Sequence, residues 1–270
     1  MRSRINLLLG LPIVVALTAL AVLAVFWTPY SPTGTRIRNR LQPPSASHWF
    51  GTDEFGRDVF SRIMDGAAVS FKVALATVVF AIVVGTLIGI TTGYLRGLVD
   101  RLIMMLNDAL LAFPGILLAL AIMVILGPGQ VSIIIALGVA YTPSVARIVR
   151  GQVLSLREKE YIEASRMIGN SGPYTMLRHI LPNCIAPITV LATSMFGWAV
   201  LSESALSFLG LGVPPPAATW GNMLSSARNY METAAWLSIA PGLCIALTLL
   251  GINLLGDALR DQFDPRMTTR

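Results

Sequence analysis

Two lone carboxylates interrupt stretches of sequence that otherwise carry no charge. Asp108 precedes the apolar run LLAFPGILLALAI, and Glu203 sits in LSESALSFLG beside Ser202, Ser204 and Ser207. An acid at bilayer depth faces protein or water, where it serves either a proton relay or a polar contact between helices. Asp108 has no histidine or second acid nearby in sequence, so it reads as a structural acid with a local polar partner. Glu203 has hydroxyl donors beside it and fits two readings, the lining of a polar passage or a contact between helices. A denser group is Asp53, Glu54, Arg57 and Asp58, opposite charges crowded around Gly56. It reads as a capped turn entering a helix. A metal or substrate site is the sharper alternative, but these acids lack a defensible ligand spacing.

The densest charge is elsewhere. Residues 157–166 read REKEYIEASR, with six charges in ten positions. Leu154, Leu156, Tyr161, Ile162, Ala164, Ser165, Met167 and Ile168 supply an apolar or small face at helical spacing. Gly169-Asn170 ends this amphipathic helix. Gly172-Pro173 starts a second one, which carries Met176, Leu177 and Ile180 and is expected to stop at Leu181-Pro182. Glu158, Glu160 and Glu163 balance Arg157, Lys159 and Arg166, a mixture suited to a protein surface rather than to anionic headgroups. The segment therefore reads as a rigid lever that docks into a soluble partner.

Other chemistry is missing from the sequence. There is no GxxxxGK[ST] loop, no HExxH, no CxxC and no serine–histidine–aspartate arrangement. The chain is expected to be non-catalytic and to bind no metal or cofactor itself. Cys184 and Cys244 lie in apolar surroundings and make no disulfide framework.

Composition says what must position these groups. Of 270 residues, 54% are hydrophobic and only 13% charged, with a mean hydropathy of +0.69. A soluble domain of this size has too little interior for so many apolar residues. Residues 5–35, 73–95, 109–146, 179–202, 204–227 and 233–256 carry no charge. A span needs roughly 20 apolar residues, which gives an all-α polytopic protein with six transmembrane helices, at about 6–26, 72–94, 102–126, 131–148, 186–209 and 234–256. The first is read as an uncleaved span, because its apolar run continues for some 20 residues before Trp27-Thr-Pro. Gly85, Gly89 and Gly93 give span two a small-residue face for close helix packing, and Pro114-Gly115 kinks span three. After span five, VPPPAATWGN is rigid and extended, a short re-entry or surface plug.

Six spans put both termini on one side. With the termini in the cytoplasm, thirteen Lys/Arg fall inside and seven outside. The net charge of +6 is thus uneven topology charge, and no nucleic-acid partner is implied. In this topology His48 and His179 lie on opposite sides. Arg36, Arg38 and Arg40 run against the rule, only about ten residues past span one.

YIEASRMIGNSGPYTMLRHILPN resembles the cytoplasmic signature loop of binding-protein-dependent ABC importer permeases. Glu163, Ala164, Gly169, Ile180, Leu181 and Pro182 match that signature, and Ser165 replaces its second alanine. HWFGTDEFGRDVFSR (48–62), LLAFPGILLALAI (110–122), ARIVRGQVLSLRE (146–158), LSFLGLGVPPPAATWGNML (206–224) and NLLGDALRDQFDPR (253–266) are similar to the second permease subunit of dipeptide, oligopeptide and nickel importers. The resemblance runs almost continuously from 48 to 266. It implies a type I ABC importer permease fold in a bacterial inner membrane. It further implies a heterodimer with a related permease, two cytoplasmic ATPases that bind ATP and magnesium, and an extracytoplasmic substrate-binding protein. Residues 158–170 would form the coupling helix, with Tyr161, Glu163, Ala164, Ser165 and Arg166 at the ATPase interface and Gly169 allowing its sharp turn. The organisation expected is a first span and extracytoplasmic loop with an interfacial helix over 1–71, a permease core over 72–257 with its coupling loop at 149–182, and a cytoplasmic tail over 258–270. Peptide is the expected cargo. Nickel or another small solute is the alternative within the class, and a proton-coupled secondary transporter is the alternative outside it.

Overall fold

The computed structural model describes residues 2–263. The tail expected over 258–270 lies outside the described residues from 264 onward, and so do the side chains of Arg2 and Arg4. Among the described residues the chain is helical, with no strand beyond an isolated bridge between Thr52 and Asp58.

Helix α1 covers Arg2–Phe26 and leaves Leu8, Val15 and Val25 among its exposed apolar side chains, as a lipid-facing span must. Helix α2, Val59–Leu95, has 37 residues. At 1.5 Å per residue that is about 55 Å, well beyond a hydrocarbon core of about 30 Å. The interfacial helix and the second span expected from the sequence are therefore one rod, and residues 71 and 72 fall inside it. Arg62, Asp65 and Lys72 lie on this helix, which has no Pro and a long buried stripe.

Helices α3 (Gly97–Leu111) and α4 (Gly115–Leu126) meet at a 94° bend over Pro114. Pro114 lacks an N–H and its φ suits the start of a helix, so the chain stops and restarts there. Together the two make the third span. Helix α5, Gln130–Leu156, continues eight residues past the expected end of span four. It does so because Val149 and Val153 still bury against α2.

The two rods meet along the small-residue face predicted for span two. A methyl group at Gly85 would lie 2.6 Å from Val145 Cβ, at Gly89 2.6 Å from the Ala146 carbonyl oxygen, and at Gly93 2.8 Å from Val153 Cβ. No side chain fits between these backbones, so α2 and α5 form one stiff unit.

Helix α6 (Glu160–Met167) and the single turn α7 (Gly172–Thr175) follow. The second amphipathic helix does not stop at Leu181-Pro182. A π-turn over Met176–Ile180 leads straight into α8, Leu181–Phe208. The Leu181 N–H reaches back five residues to the Met176 carbonyl, and Pro182 then occupies the first turn of α8, where a missing N–H costs little.

After α8 the chain runs through turns and bends rather than the extended stretch expected from VPPPAATWGN, and then forms α9, Trp220–Ala227, a helix the sequence reading did not separate from the loop. A capping box holds its start: the Asn222 N–H donates to Thr219 Oγ1 at 3.1 Å, and the Thr219 N–H to Asn222 Oδ1 at 3.0 Å. Helix α10, Trp236–Phe263, packs against α1, where Gly251 meets Ile13 and Val14. Counting α3 and α4 as one broken span, the described residues hold six segments long and apolar enough to cross a membrane.

Candidate coupling surface and polar anchors

Helix α6 is held against the end of the α2–α5 unit by its own buried side. Ile162 is fully buried in a cluster with Val153 and Ile180, with Tyr94, Leu156 and Met176 packed against it. The Ser165 hydroxyl lies 3.3 Å from Thr175 Oγ1, and Asn170 Nδ2 donates to Ser165 Oγ at 3.1 Å. The Arg166 guanidinium sits 4.8 Å from the Tyr94 ring centroid. Arg157 donates to the carbonyls of Gly93 and Tyr94 at 3.3 and 3.1 Å, satisfying oxygens at the C-terminus of α2 that have no helical partner. Burial, with Arg96 and Arg166 nearby, pulls the Arg157 pKa below the ordinary arginine value.

Gly169 closes the helix. Its φ of +89° is left-handed. Its N–H bonds the Arg166 carbonyl at 2.9 Å, and the Asn170 N–H bonds the Ser165 carbonyl at 3.2 Å. These two bonds make a Schellman turn, in which a side chain at the left-handed position is strained.

The residues predicted to share one apolar face are split by this mounting. Ile162 and Ser165 point inward, whereas Tyr161, Glu163 and Ala164 are exposed and Met167 and Ile168 are 81% and 80% exposed. Arg166, though exposed, is spent on Tyr94. The outward surface mixes Tyr161, Ala164, Met167 and Ile168 with Glu160 and Glu163, and is backed by the buried Ile162 and Ser165.

The α2–α5 unit is braced near the same end. Arg150 Nε and Nη2 reach the two oxygens of Asp100 at 2.6 and 2.7 Å. Arg147 reaches Asp108 at 2.6 Å, with both side chains more than half exposed. Arg96 reaches Glu158 at 3.1 Å. Asp108 is thus a contact between α3 and α5. The sequence reading had expected a local partner for it but had not identified Asp100 or Arg150, whose intervening 50 residues hide the pair.

Glu203 is fully buried among hydroxyls. Ser70 Oγ donates to Oε2 at 3.0 Å and Ser207 Oγ to Oε1 at 2.6 Å. This ties α8 to α2. Helix α9 sits on the same spot, because Gly221 packs against the Ser204 carbonyl and Ser207. Trp220, also fully buried, donates its indole N–H to the Ile63 carbonyl at 3.1 Å. Glu203 thus makes a contact between α8 and α2.

The Asp53–Asp58 group forms the capped turn. Asp53 Oδ1 accepts the N–H groups of Phe55 and Arg57, both at 2.9 Å, while Oδ2 lies 2.6 Å from Arg57 Nε and 3.4 Å from Arg62 Nε. Asp58 N-caps α2 by accepting from the Ser61 N–H at 2.8 Å, and its other oxygen is 2.8 Å from His48 Nδ1. Gly56 has φ +71°, and any Cβ there would strike the Arg36 carbonyl. The oxygens a metal would need are engaged by protein donors. Among the described residues no group of three His, Cys, Asp or Glu converges on a cation position.

Up to six segments apolar and long enough to span, with one short helix presented on a stiff mount between two of them, describe a polytopic membrane protein. Residues 85–269 match the family described as binding-protein-dependent transport system inner membrane component, and the chain belongs to that family. It is 47% identical over 264 residues to a putative peptide transport system permease protein of Brucella suis, covering 98% of this chain and 88% of that one. It is 45% identical over 260 residues to the dipeptide transport system permease protein DppC of Alkalihalophilus pseudofirmus, covering 96% and 86%. It is 40% identical over 268 residues to the glutathione transport system permease protein GsiD of Pectobacterium atrosepticum, covering 99% and 89%.

Proposed function

We propose that this chain is one of two related permease subunits of an ATP-driven importer of di- or oligopeptides. The α6 end faces the cytoplasm, with both termini there. Residues 149–182 act as the coupling loop, and two separate ATPase subunits hold the ATP and magnesium. A binding protein delivers peptide to the opposite face. The cargo is supported by the relatives' names, which specify peptide, dipeptide and glutathione transport.

The observation that carries the coupling role is the outward surface of α6. Apolar side chains as exposed as Met167 and Ile168, beside Glu163 and on a buried mount, suit a groove in a partner protein. Tyr161, Glu163 and Ala164 make the contact. Ser165 and Arg166 hold the helix to its mount, and Gly169 sets its angle. ATP-driven approach of the two ATPases displaces α6. The glycine-packed α2–α5 unit transmits that displacement as a rigid-body motion, because no flexible side chain lies between the rods to absorb it. Alternating access follows, with no covalent step on this chain.

The test is to purify the complex, add the binding protein loaded with a series of peptides, and measure ATP hydrolysis. The reading expects di- or oligopeptides to raise hydrolysis and a Glu163→Lys, Gly169→Val variant to lose co-purifying ATPases. Stimulation by nickel alone, or retention of the ATPases by that variant, contradicts it.

A further inference from the structure

The end of the molecule that carries α9 holds four exposed arginines, Arg36, Arg38, Arg40 and Arg228, none with an acidic partner within 4 Å among the described residues. The acids close to them in the fold are already engaged. Asp53 is taken by Arg57 and Arg62, Glu54 lies 3.6 Å from Arg57, and Asp58 is taken by His48 and the start of α2. Asp65 accepts the Ala218 N–H at 3.3 Å. Glu232 is the one exposed acid beside the patch with no pairing among the described residues. A cluster of like charges left without counter-ions is unfavourable for the isolated chain.

The arginines are also held in place. The Arg36 N–H bonds the Phe55 carbonyl at 3.0 Å, the Leu41 N–H bonds the Asp53 carbonyl at 3.1 Å, and the Arg36 carbonyl abuts Gly56. Arg36–Arg40 thus forms a braced strip around a single 3-10 turn. The Arg40 guanidinium lies 5.9 Å from the Tyr230 ring centroid and its Nη2 is 3.4 Å from the Tyr230 hydroxyl, which brings the strip beside the segment that carries Arg228. Ile37 and Met231 are 77% and 50% exposed on the same two segments. Fixed arginines around exposed apolar side chains are the composition of a protein interface. The strip flanks the turn that precedes α2.

We infer that Arg36, Arg38 and Arg228, with Arg40 as their anchor, form a docking surface for an acidic face of the separate binding protein. This rests on the peptide-importer reading above. Guanidinium forks pair with carboxylates in bidentate geometry. Charges at the rim of an interface chiefly set the encounter rate and its salt dependence.

The experiment uses the whole complex in nanodiscs of neutral lipid. ATP hydrolysis is titrated with binding protein at low and at higher salt, for wild type, R36E/R38E/R228E and R36Q/R38Q/R228Q. Arg40 is left alone because it packs on Tyr230. Basal hydrolysis should be unchanged in all three, which reports an intact complex. The binding-protein concentration for half-maximal stimulation should rise about tenfold in the Glu variant and by less in the Gln variant, and both variants should lose the steep salt dependence of wild type. Equal half-maximal concentrations in all three overturn the inference while leaving the importer reading intact. An effect that appears only when anionic lipid is added to the nanodiscs also overturns it, since the arginines then belong to headgroups. Wild-type hydrolysis that no binding protein stimulates overturns the importer reading and this inference with it.

Discussion

Arg150 holds Asp100 through two hydrogen bonds of 2.6 and 2.7 Å, joining α5 to α3 beside the mount of α6. The pair is partly buried, with side-chain exposures of 30% and 13%, so it is worth more than a surface ion pair. Asp100→Asn or Arg150→Gln should each destabilise the complex by about 1–2 kcal/mol. The exchange Asp100→Arg with Arg150→Asp should recover part of that loss. Thermal unfolding of the detergent-solubilised complex measures both.

Gly89 and Gly151 offer a contrast between packed and open glycines. A Cβ at Gly89 meets the Ala146 carbonyl and Val149, whereas one at Gly151 meets nothing within 4 Å. Gly89→Ala should separate α2 from α5 and lower the yield of assembled complex. Gly151→Ala should be neutral or stabilising by up to about 1 kcal/mol, because alanine is the better helix former. Size-exclusion yield and melting temperature distinguish the two.

Asp58 both caps α2 and pairs with His48. Asp58→Ala removes the cap and leaves His48 unpartnered, a loss of about 1–2 kcal/mol. Asp58→Asn keeps an acceptor for the Ser61 N–H and should retain most of the stability. Protease cleavage in the 27–58 loop should accelerate in the alanine variant and stay close to wild type in the asparagine variant.

The Glu203 knot predicts a similar ordering. Glu203→Gln still presents an acceptor to Ser70 and Ser207, whereas Glu203→Leu leaves both hydroxyls without it. The leucine variant should loosen α9, seen as faster labelling of a cysteine placed at Ser225, with the glutamine variant near wild type.

These contacts show how far the sequence could be read. The spans were legible because lipid demands long uncharged runs, and the close-packing face of α2 was legible because three glycines recur every four residues, although the sequence did not say that α5 would fill it. The capped turn at Asp53–Asp58 was legible because its partners are close in sequence. The Arg150–Asp100 pair, the Ser70–Glu203 bond and the Trp220–Ile63 bond under α9 join residues 50 or more apart, and no local pattern reports such a pairing. The run through Pro182 was misread because proline was taken as a stop, whereas the π-turn before it shifts the backbone register so that the proline falls in a first turn. The amphipathic face of α6 was drawn too broadly. Composition shows that Ile162 and Met167 are both apolar, but only the packing against Tyr94 and Ile180 decides which of them is buried.

The central claim is that α6 couples ATP hydrolysis on partner subunits to passage through this chain. Peptide uptake into proteoliposomes, driven by lumenal or external ATP and compared between wild type and Glu163→Lys, Gly169→Val, tests it most directly. The account predicts uptake only with ATP on the α6 side and binding protein on the other, abolished in the variant while the six-helix fold persists by circular dichroism. Uptake in the variant that equals wild type and runs on a pH gradient without ATP would contradict it.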